Sequence, residues 1–464
     1  MFFSGLFALL LAAHLCESGV LWAEETLPLA AALRMLHGSA LYRDIWFDKP
    51  PLVPAIYLVW GARFGPVLRV AGAVYAWLAC VLAYAFAGGI WSRREGYAAA
   101  GLLGFFLTFD THSAVLPLAA DLLLLTPHLA AVLLASRGQF FRSGLAAGIG
   151  FLFNAKGVFV LAACLVFAWP GAIPILAGFI VPNIAAAAWL VGTGSLGPYL
   201  DQVWRWPAQY AASPVVSDPV WNGVVRTGNW LGFHAVLVIG AGLFWLRGAA
   251  KERWRFAAWM GICLVGVVLG WRFFPRYYFL LLPALTIPAA RGLTLLRSRA
   301  AIAIALLTMM VPLVRFGPRY AMLSNWNDLA LDRDSREASR IALENARRIA
   351  PAGGSLYVWG YRPEDYVYTG LRPATRFLDS QAMTGVPADR HLTQSEIVLT
   401  AGTHEAREEL ARSRPDVLID GLSLYNPALA MDRYPELRAW LAGYREAART
   451  RGSIVYIRPI TIGR

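Results

Sequence analysis

Long stretches without a single charged side chain recur along this chain, at 70–92, 96–109, 122–136, 143–155, 157–200, 227–246, 256–271, 277–290 and 300–314. Such runs predict membrane-spanning helices, because roughly 20 apolar residues are needed to cross a hydrocarbon core. Several runs are shorter and need their flanking residues to complete a crossing. The 157–200 run is too long for one helix, and "PGAIP" at 170–174 divides it, since proline removes a helical hydrogen bond. The apolar segment before Cys16 lacks the basic start and small-residue cleavage site of a signal peptide, so it reads as a first span. Together these segments predict about eleven spans.

From about residue 316 the pattern changes. "DRDSREASRIALENARRIA" (332–350) has helical spacing, a capping Asp or Ser and a "PAGG" stop. "SLYVWG" (355–360), "PDVLID" (415–420) and "GSIVYIR" (452–458) read as short buried strands, with helical stretches near 404–413 and 433–448 between them. The expected organisation is an α-helical polytopic membrane domain at 1–315, followed by a small α/β domain at 316–464.

The loops between apolar runs fall into two sets. "SRRE" (92–95), "RGQFFR" (137–142), "RGAAKERWR" (247–255) and "RGLTLLRSR" (291–299) are basic. The alternate loops carry Glu24, Glu25, Asp44, Asp48, Asp110, Asp121, Asp201 and Asp218. Basic loops stay in the cytoplasm, so the acids face outward; an odd span count then puts the N-terminus inside and the C-terminal domain outside. This places the chain in a cell membrane, inner or plasma membrane.

Composition agrees: 58% of residues are hydrophobic, above the share of soluble domains. The net charge of +13 invites a nucleic-acid partner, but the arginines sit between apolar runs, where topology already accounts for them. Cys16, Cys80, Cys164 and Cys263 all lie in or at the ends of apolar segments, as small packing residues would.

Charge is unexpectedly dense on the outer side. Glu24-Glu25 follow the first span, and on their own fit a solvated helix start. "YRDIWFDKPPL" (42–52) then returns the chain to the membrane, bringing Arg43, Asp48 and Lys49 to its edge. Pro50-Pro51 disfavours helix at Lys49. A lysine held there suits a lipid phosphate, although boundary lysines also snorkel. Asp121 heads "LLLLTPHLAAVLLA", and an acid at that depth faces a cavity or a partner. Lys156 in "NAKG" and Arg272 and Arg276 in "WRFFPRYY" break the positive-inside bias on the same side. Bases to stabilise a leaving phosphate and a carboxylate to take a hydroxyl proton are what transfer from a phosphorylated lipid requires.

The motifs resemble those of membrane glycosyltransferases of the GT-C superfamily that use polyprenyl-phosphate sugars, nearest to bacterial relatives of the protein O-mannosyltransferases and the aminoarabinose–lipid A transferases. The resemblance runs from about residue 20 to about 380. It is carried by Glu24-Glu25, "HGSALYRD" with "DKPPL", Asp121, Lys156-Gly157, "WRFFPRYY" and "YVWGYRPEDYVYTGLRPATRF". Two positions depart from the family pattern: the first acid, usually Asp, is Glu24, and the usual histidine of the "RF-P-HY" element is Arg276. The resemblance implies Glu24 as catalytic carboxylate, with Glu25 and Asp121 as supporting acids. It implies Lys49 as ligand of the lipid phosphate, helped by Lys156, Arg272 or Arg276, with Arg43 and Asp48 of the same motif beside it. The implied reaction inverts the anomeric carbon and releases polyprenyl phosphate to a glycan, lipid or protein acceptor. Some relatives use a divalent metal, so a metal ligand set stays open.

Two other classes compete. A secondary transporter or flippase also uses intramembrane charge and broken helices, but no inverted repeat is present and the charges crowd the outer border. A structural subunit would carry the acids as relics. Convergence of Glu24, Asp121 and Lys49 in one outward cavity separates the enzyme from both.

Overall fold

The computed structural model describes residues 1–211, 218–247, 250–321, 327–394 and 396–459. Positions 248–249 of the basic loop at 247–255 therefore lie outside the described residues, as does the C-terminal Arg464.

The first two-thirds is a bundle of apolar helices. Pro66–Ile90, Trp169–Gly192 and Arg299–Tyr320 are each long and apolar enough to cross a membrane, and Pro219–Phe233 with Ala235–Arg247 forms a pair bent by 87°. Phe2–Cys16, Ala120–Ser136, Phe140–Phe153 and Gly157–Phe167 are shorter apolar helices among them. Helix count and span count therefore diverge. The long 157–200 run breaks as its prolines predict, with a short 3₁₀ turn at Trp169–Gly171 between two helices.

Small residues bring these helices together. A Cβ on Gly144 would stand 1.9 Å from the Ile175 carbonyl oxygen, and one on Gly178 would stand 2.1 Å from that of Phe141. Only glycine permits this backbone approach, the usual means of helix association where lipid removes the hydrophobic drive. Arg291, in the last turn of helix Leu282–Thr294, reaches Glu95, in the first turn of helix Arg93–Phe106, at 2.5 Å and joins two of the basic stretches. Cys80, Cys164 and Cys263 are buried free thiols, while Cys16 is exposed.

The C-terminal part is a mixed five-stranded sheet packed against helices. Its strands are β1 (Ser355–Trp359), β2 (Arg372–Pro373), β3 (Val417–Asp420), β4 (Arg445–Arg449) and β5 (Ile454–Ile457), in the order β2-β1-β3-β5-β4. The three expected strands are β1, β3 and β5. β1 lies parallel to β2 and β3, whereas β5 runs antiparallel to β3 and β4. Interior strand β1 is buried throughout, which is why "LYVW" reads as an unbroken apolar run rather than an alternation. The expected helix at 332–350 is Asn327–Ile349, and Ala338, Ala342 and Ala346 form its buried stripe at four-residue spacing. The stretch 433–448 divides: Pro435–Leu441 is helical, but Arg445–Arg449 is an edge strand whose charged side chains keep it from pairing further.

The two parts share their core. One continuous apolar cluster runs from Leu6 and Leu10 through the bundle to Leu356, Val358 and Val417 of the sheet. At the polar level the Leu21 amide donates to Asp332, and the Trp46 amide donates 2.8 Å to the Arg376 carbonyl. The sheet domain is thus seated on the end of the bundle that carries Glu24 and Lys49.

Candidate active site

Glu24 and Glu25 open the helix Ala23–Leu36. Neighbouring helical residues point about 100° apart, so the two carboxylates cannot share a face. Glu25 turns inward and is fully buried: its Oε1 accepts the Trp22 amide at 3.1 Å, capping the helix, and its carboxylate pairs with buried Arg69. Arg69 also donates to the Val20 and Leu116 carbonyls at 2.8 and 3.3 Å. Glu24 turns outward into a cavity, where Arg276 Nη1 lies 2.6 Å from its Oε1. Of the two neighbours, Glu25 is therefore engaged by the fold, and Glu24 faces the cavity.

Asp121 stands in the first turn of Ala120–Ser136. It accepts Asn154 Nδ2 at 3.0 Å and Lys156 Nζ at 3.1 Å, and Arg276 Nε lies 3.6 Å from its other oxygen. The "NAKG" turn that delivers Lys156 needs its glycine, since a Cβ on Gly157 would stand 2.5 Å from the Phe151 backbone nitrogen. Lys156 Nζ also sits 3.4 Å above the Tyr277 ring.

Lys49 is held by the winding of its loop. Tyr42 adopts a left-handed φ of 69°, and its hydroxyl donates 2.7 Å to the Lys49 carbonyl. The Gln202 amide clamps the turn, donating to the Tyr42 carbonyl and accepting from the Phe47 amide, both at 2.9 Å. Lys49 Nζ then lies 3.1 Å from Asp48. Arg272 pairs with Asp389 of the sheet domain at 2.8 Å.

These groups surround one site with two lobes, each of about 250 Å³. Glu24, Asp48, Lys49, Arg276 and Tyr277 line both. Asp121 and Lys156 close one lobe; Arg272, Tyr361, Gln381 and Asp389 close the other. Arg43 lines neither lobe. Its guanidinium is exposed, bound to Asp44 and to the Thr193 carbonyl at 2.9 Å, and that pairing holds the Asp44 carboxyl down to about 2. Arg43 is thus a brace for the loop and stands apart from the cavity.

Tyr277, Asn154, Tyr361, Gln381 and Asp389 are site residues that sequence reasoning did not single out. Tyr361 lies within the "YVWGYRP" element, so its neighbourhood carried a signal; Gln381 and Asp389 carried none. Burial, with Glu24 and Asp48 nearby, pushes the Tyr361 phenol well above its ordinary range, so it stays a hydrogen-bond donor.

Behind this wall Asp379 accepts the Gln381 amide at 2.8 Å, and burial pushes its carboxyl up to about 7. The native state keeps a proton that the unfolded chain releases near 4. Between about pH 4 and 7 a rise in pH therefore favours unfolding of this part. We expect thermal unfolding at a lower temperature at pH 8 than at pH 5, with a smaller difference in Asp379→Asn. An unchanged difference in that variant would remove Asp379 as the cause.

No protein-family model matches the chain, and no curated protein matches it. Solved structures do. ArnT from Cupriavidus metallidurans in the apo state superposes with a TM-score of 0.62 at 14% identity, covering 98% of this chain and 96% of that one. ArnT bound to undecaprenyl phosphate superposes at 0.58 and 14% identity, covering 99% and 98%. The archaeal oligosaccharyltransferase AglB from Archaeoglobus fulgidus, in complex with an inhibitory peptide and a dolichol-phosphate, gives 0.49 at 12%, covering 99% and 74%. At such identities the likeness speaks for architecture: this chain of apolar helices capped by a small mixed sheet has the fold of ArnT.

Proposed function

We propose that the protein is an integral membrane glycosyltransferase that moves a sugar from a polyprenyl-phosphate donor to an acceptor hydroxyl at the outer face of the membrane. The observation that carries this reading is the convergence of Glu24, Asp121, Lys49, Lys156, Arg272 and Arg276 on one cavity. The fold agrees, since ArnT has been solved with undecaprenyl phosphate bound.

In this reading Lys49 and Arg276 hold the donor phosphate as point charge and planar fork. The acceptor oxygen attacks the anomeric carbon as Glu24 takes its proton. The bond from that carbon to the phosphate oxygen breaks, and its electron pair leaves with polyprenyl phosphate, inverting the centre. Cations fixed beside the leaving phosphate lower the barrier because they need no reorganisation as charge develops. Without donor, each cavity cation rests on a carboxylate: Arg276 on Glu24, Lys156 on Asp121, Lys49 on Asp48 and Arg272 on Asp389. An arriving phosphate therefore competes with Glu24 for Arg276, and binding of the donor frees the base. Arg276 in place of the family's histidine makes this exchange an ion-pair exchange.

Among the described residues no group of three or more His, Cys, Asp or Glu side chains is disposed to hold a metal ion. The cavity acids are engaged by Lys and Arg side chains. A transporter would string its charges along a through-path; a cluster closed by the sheet domain fits transfer better.

Incubation of the purified protein with labelled polyprenyl-phosphate sugars and native membranes tests the reading: label is expected in a new glycoconjugate, and its absence across donors would end the proposal. Lys49→Ala is expected to weaken donor binding more than Lys49→Arg, measured by direct titration. Wild-type affinity in both variants would leave Lys49 as a snorkelling boundary residue.

The basic loops imply that the cavity and the sheet domain lie outside the cytoplasm. A reporter fused to the C-terminus that is active only outside the cytoplasm is the expected result; cytoplasmic activity would reverse the orientation.

A further inference from the structure

A second cleft, of about 550 Å³, opens where the bundle meets the sheet domain. Its bundle side carries Asp201, Arg205 and Trp206, and its sheet-domain side carries Arg376, Phe377 and Glu405. Trp46 lies at its base, edge-on to Trp206 with ring centroids 5.6 Å apart.

The cleft backs directly onto the cavity that holds Glu24. Three separate segments form the partition, and in each one consecutive or near-consecutive residues face opposite sides. Trp46 lines the cleft, while Asp48 and Lys49 line the cavity. Gln202 and Trp206 line the cleft, while their successors Val203 and Pro207 line the cavity. Ala382 lines the cleft and Gln381 the cavity. An occupant of the cleft therefore lies across these shared segments from the cavity.

The lining also says what kind of occupant fits. The part-exposed Trp206 ring offers apolar surface with a negative face and positive edge, to which the C–H face of a sugar ring is complementary; Trp46 and Phe377 are themselves buried. Carboxylates and guanidinium forks hydrogen-bond in planar pairs, as adjacent sugar hydroxyls require. Two acids, Asp201 and Glu405, against two arginines, Arg205 and Arg376, leave the lining without net charge, which suits hydroxyl groups rather than phosphate. The size and the position between two structural units are those of ligand sites generally.

We infer that this cleft binds the glycan of the acceptor, holding its non-reacting part while the attacking hydroxyl is presented to Glu24. This inference rests on the glycosyl-transfer reading and adds the acceptor's chemical class to it. Binding energy gained in the cleft, away from the reacting atoms, is available to position the nucleophile.

Gly402 supplies the test. It is exposed at the cleft, and a Cβ there would meet no heavy atom within 4 Å, so a large side chain enters open space. Gly402→Trp should fill the cleft without disturbing the fold. In native membranes with labelled donor, transfer to the endogenous acceptor is expected to fall at least tenfold at low acceptor, with recovery as acceptor-bearing membrane is increased. Donor affinity, titrated separately with the purified full chain, is expected to stay within twofold of wild type. Wild-type transfer by Gly402→Trp would overturn the inference, and so would an equal loss of donor affinity. Failure of the underlying reading looks different: then the wild-type protein itself transfers no label.

Discussion

Glu24→Gln is expected to abolish sugar transfer while the protein stays folded and binds the lipid donor. The amide is nearly isosteric, and Glu24 is exposed to the cavity with Arg276 as its ion-pair partner, so no packing is lost. What disappears is the acceptor for the hydroxyl proton. Loss of a general base costs about 100- to 10,000-fold in rate. Single-turnover transfer from a labelled donor, with donor affinity measured in parallel, gives the comparison. Undiminished turnover would move the base to Asp121, the other acid within reach of Arg276.

One residue further along, the expected effect changes kind. Arg69→Ala leaves the Glu25 carboxylate buried without its partner, and breaking a buried pair in this way costs about 3–5 kcal/mol. The Trp22 cap depends on the same carboxylate, so the start of the helix that presents Glu24 loosens too. We expect a marked drop in the unfolding temperature of the solubilised protein, followed by tryptophan fluorescence. Arg69→Met with Glu25→Leu should recover much of that loss, because paired apolar replacements leave no stranded charge. Turnover per folded molecule in the double variant should exceed that of Glu24→Gln. A stable but inactive double variant would return Glu25 to the chemistry.

The contrast between these neighbours marks what one dimension of sequence carries. That these acids and bases come together was legible, because charge outside the basic loops is conspicuous in so apolar a chain. Which acid points where was not, since it depends on helical phase relative to a partner, Arg69, 44 positions away in sequence. Arg43 shows a related limit: membership of a motif does not reveal that its partners are Asp44 and the Thr193 carbonyl. The sheet strands were readable because β1, β3 and β5 are short apolar runs, whereas edge strand β4, "REAAR", has the composition of a helix. Gln381 and Asp389 reach the cavity from the far side of the chain, and no local pattern announces such an approach.

The tie between the Trp46 amide and the Arg376 carbonyl, with the Trp46 ring embedded in the core of the sheet domain, also has a consequence for synthesis. The loop that presents Lys49 leaves the ribosome 376 − 46 = 330 residues before its partner exists. At about 5–20 residues per second, that is a wait of roughly 15–65 s. During it the early helices insert with one wall of the cavity absent, so the cavity stays incomplete until the last domain arrives. If the cavity is the site of the proposed transfer, translation order delays its completion until the membrane part is already embedded.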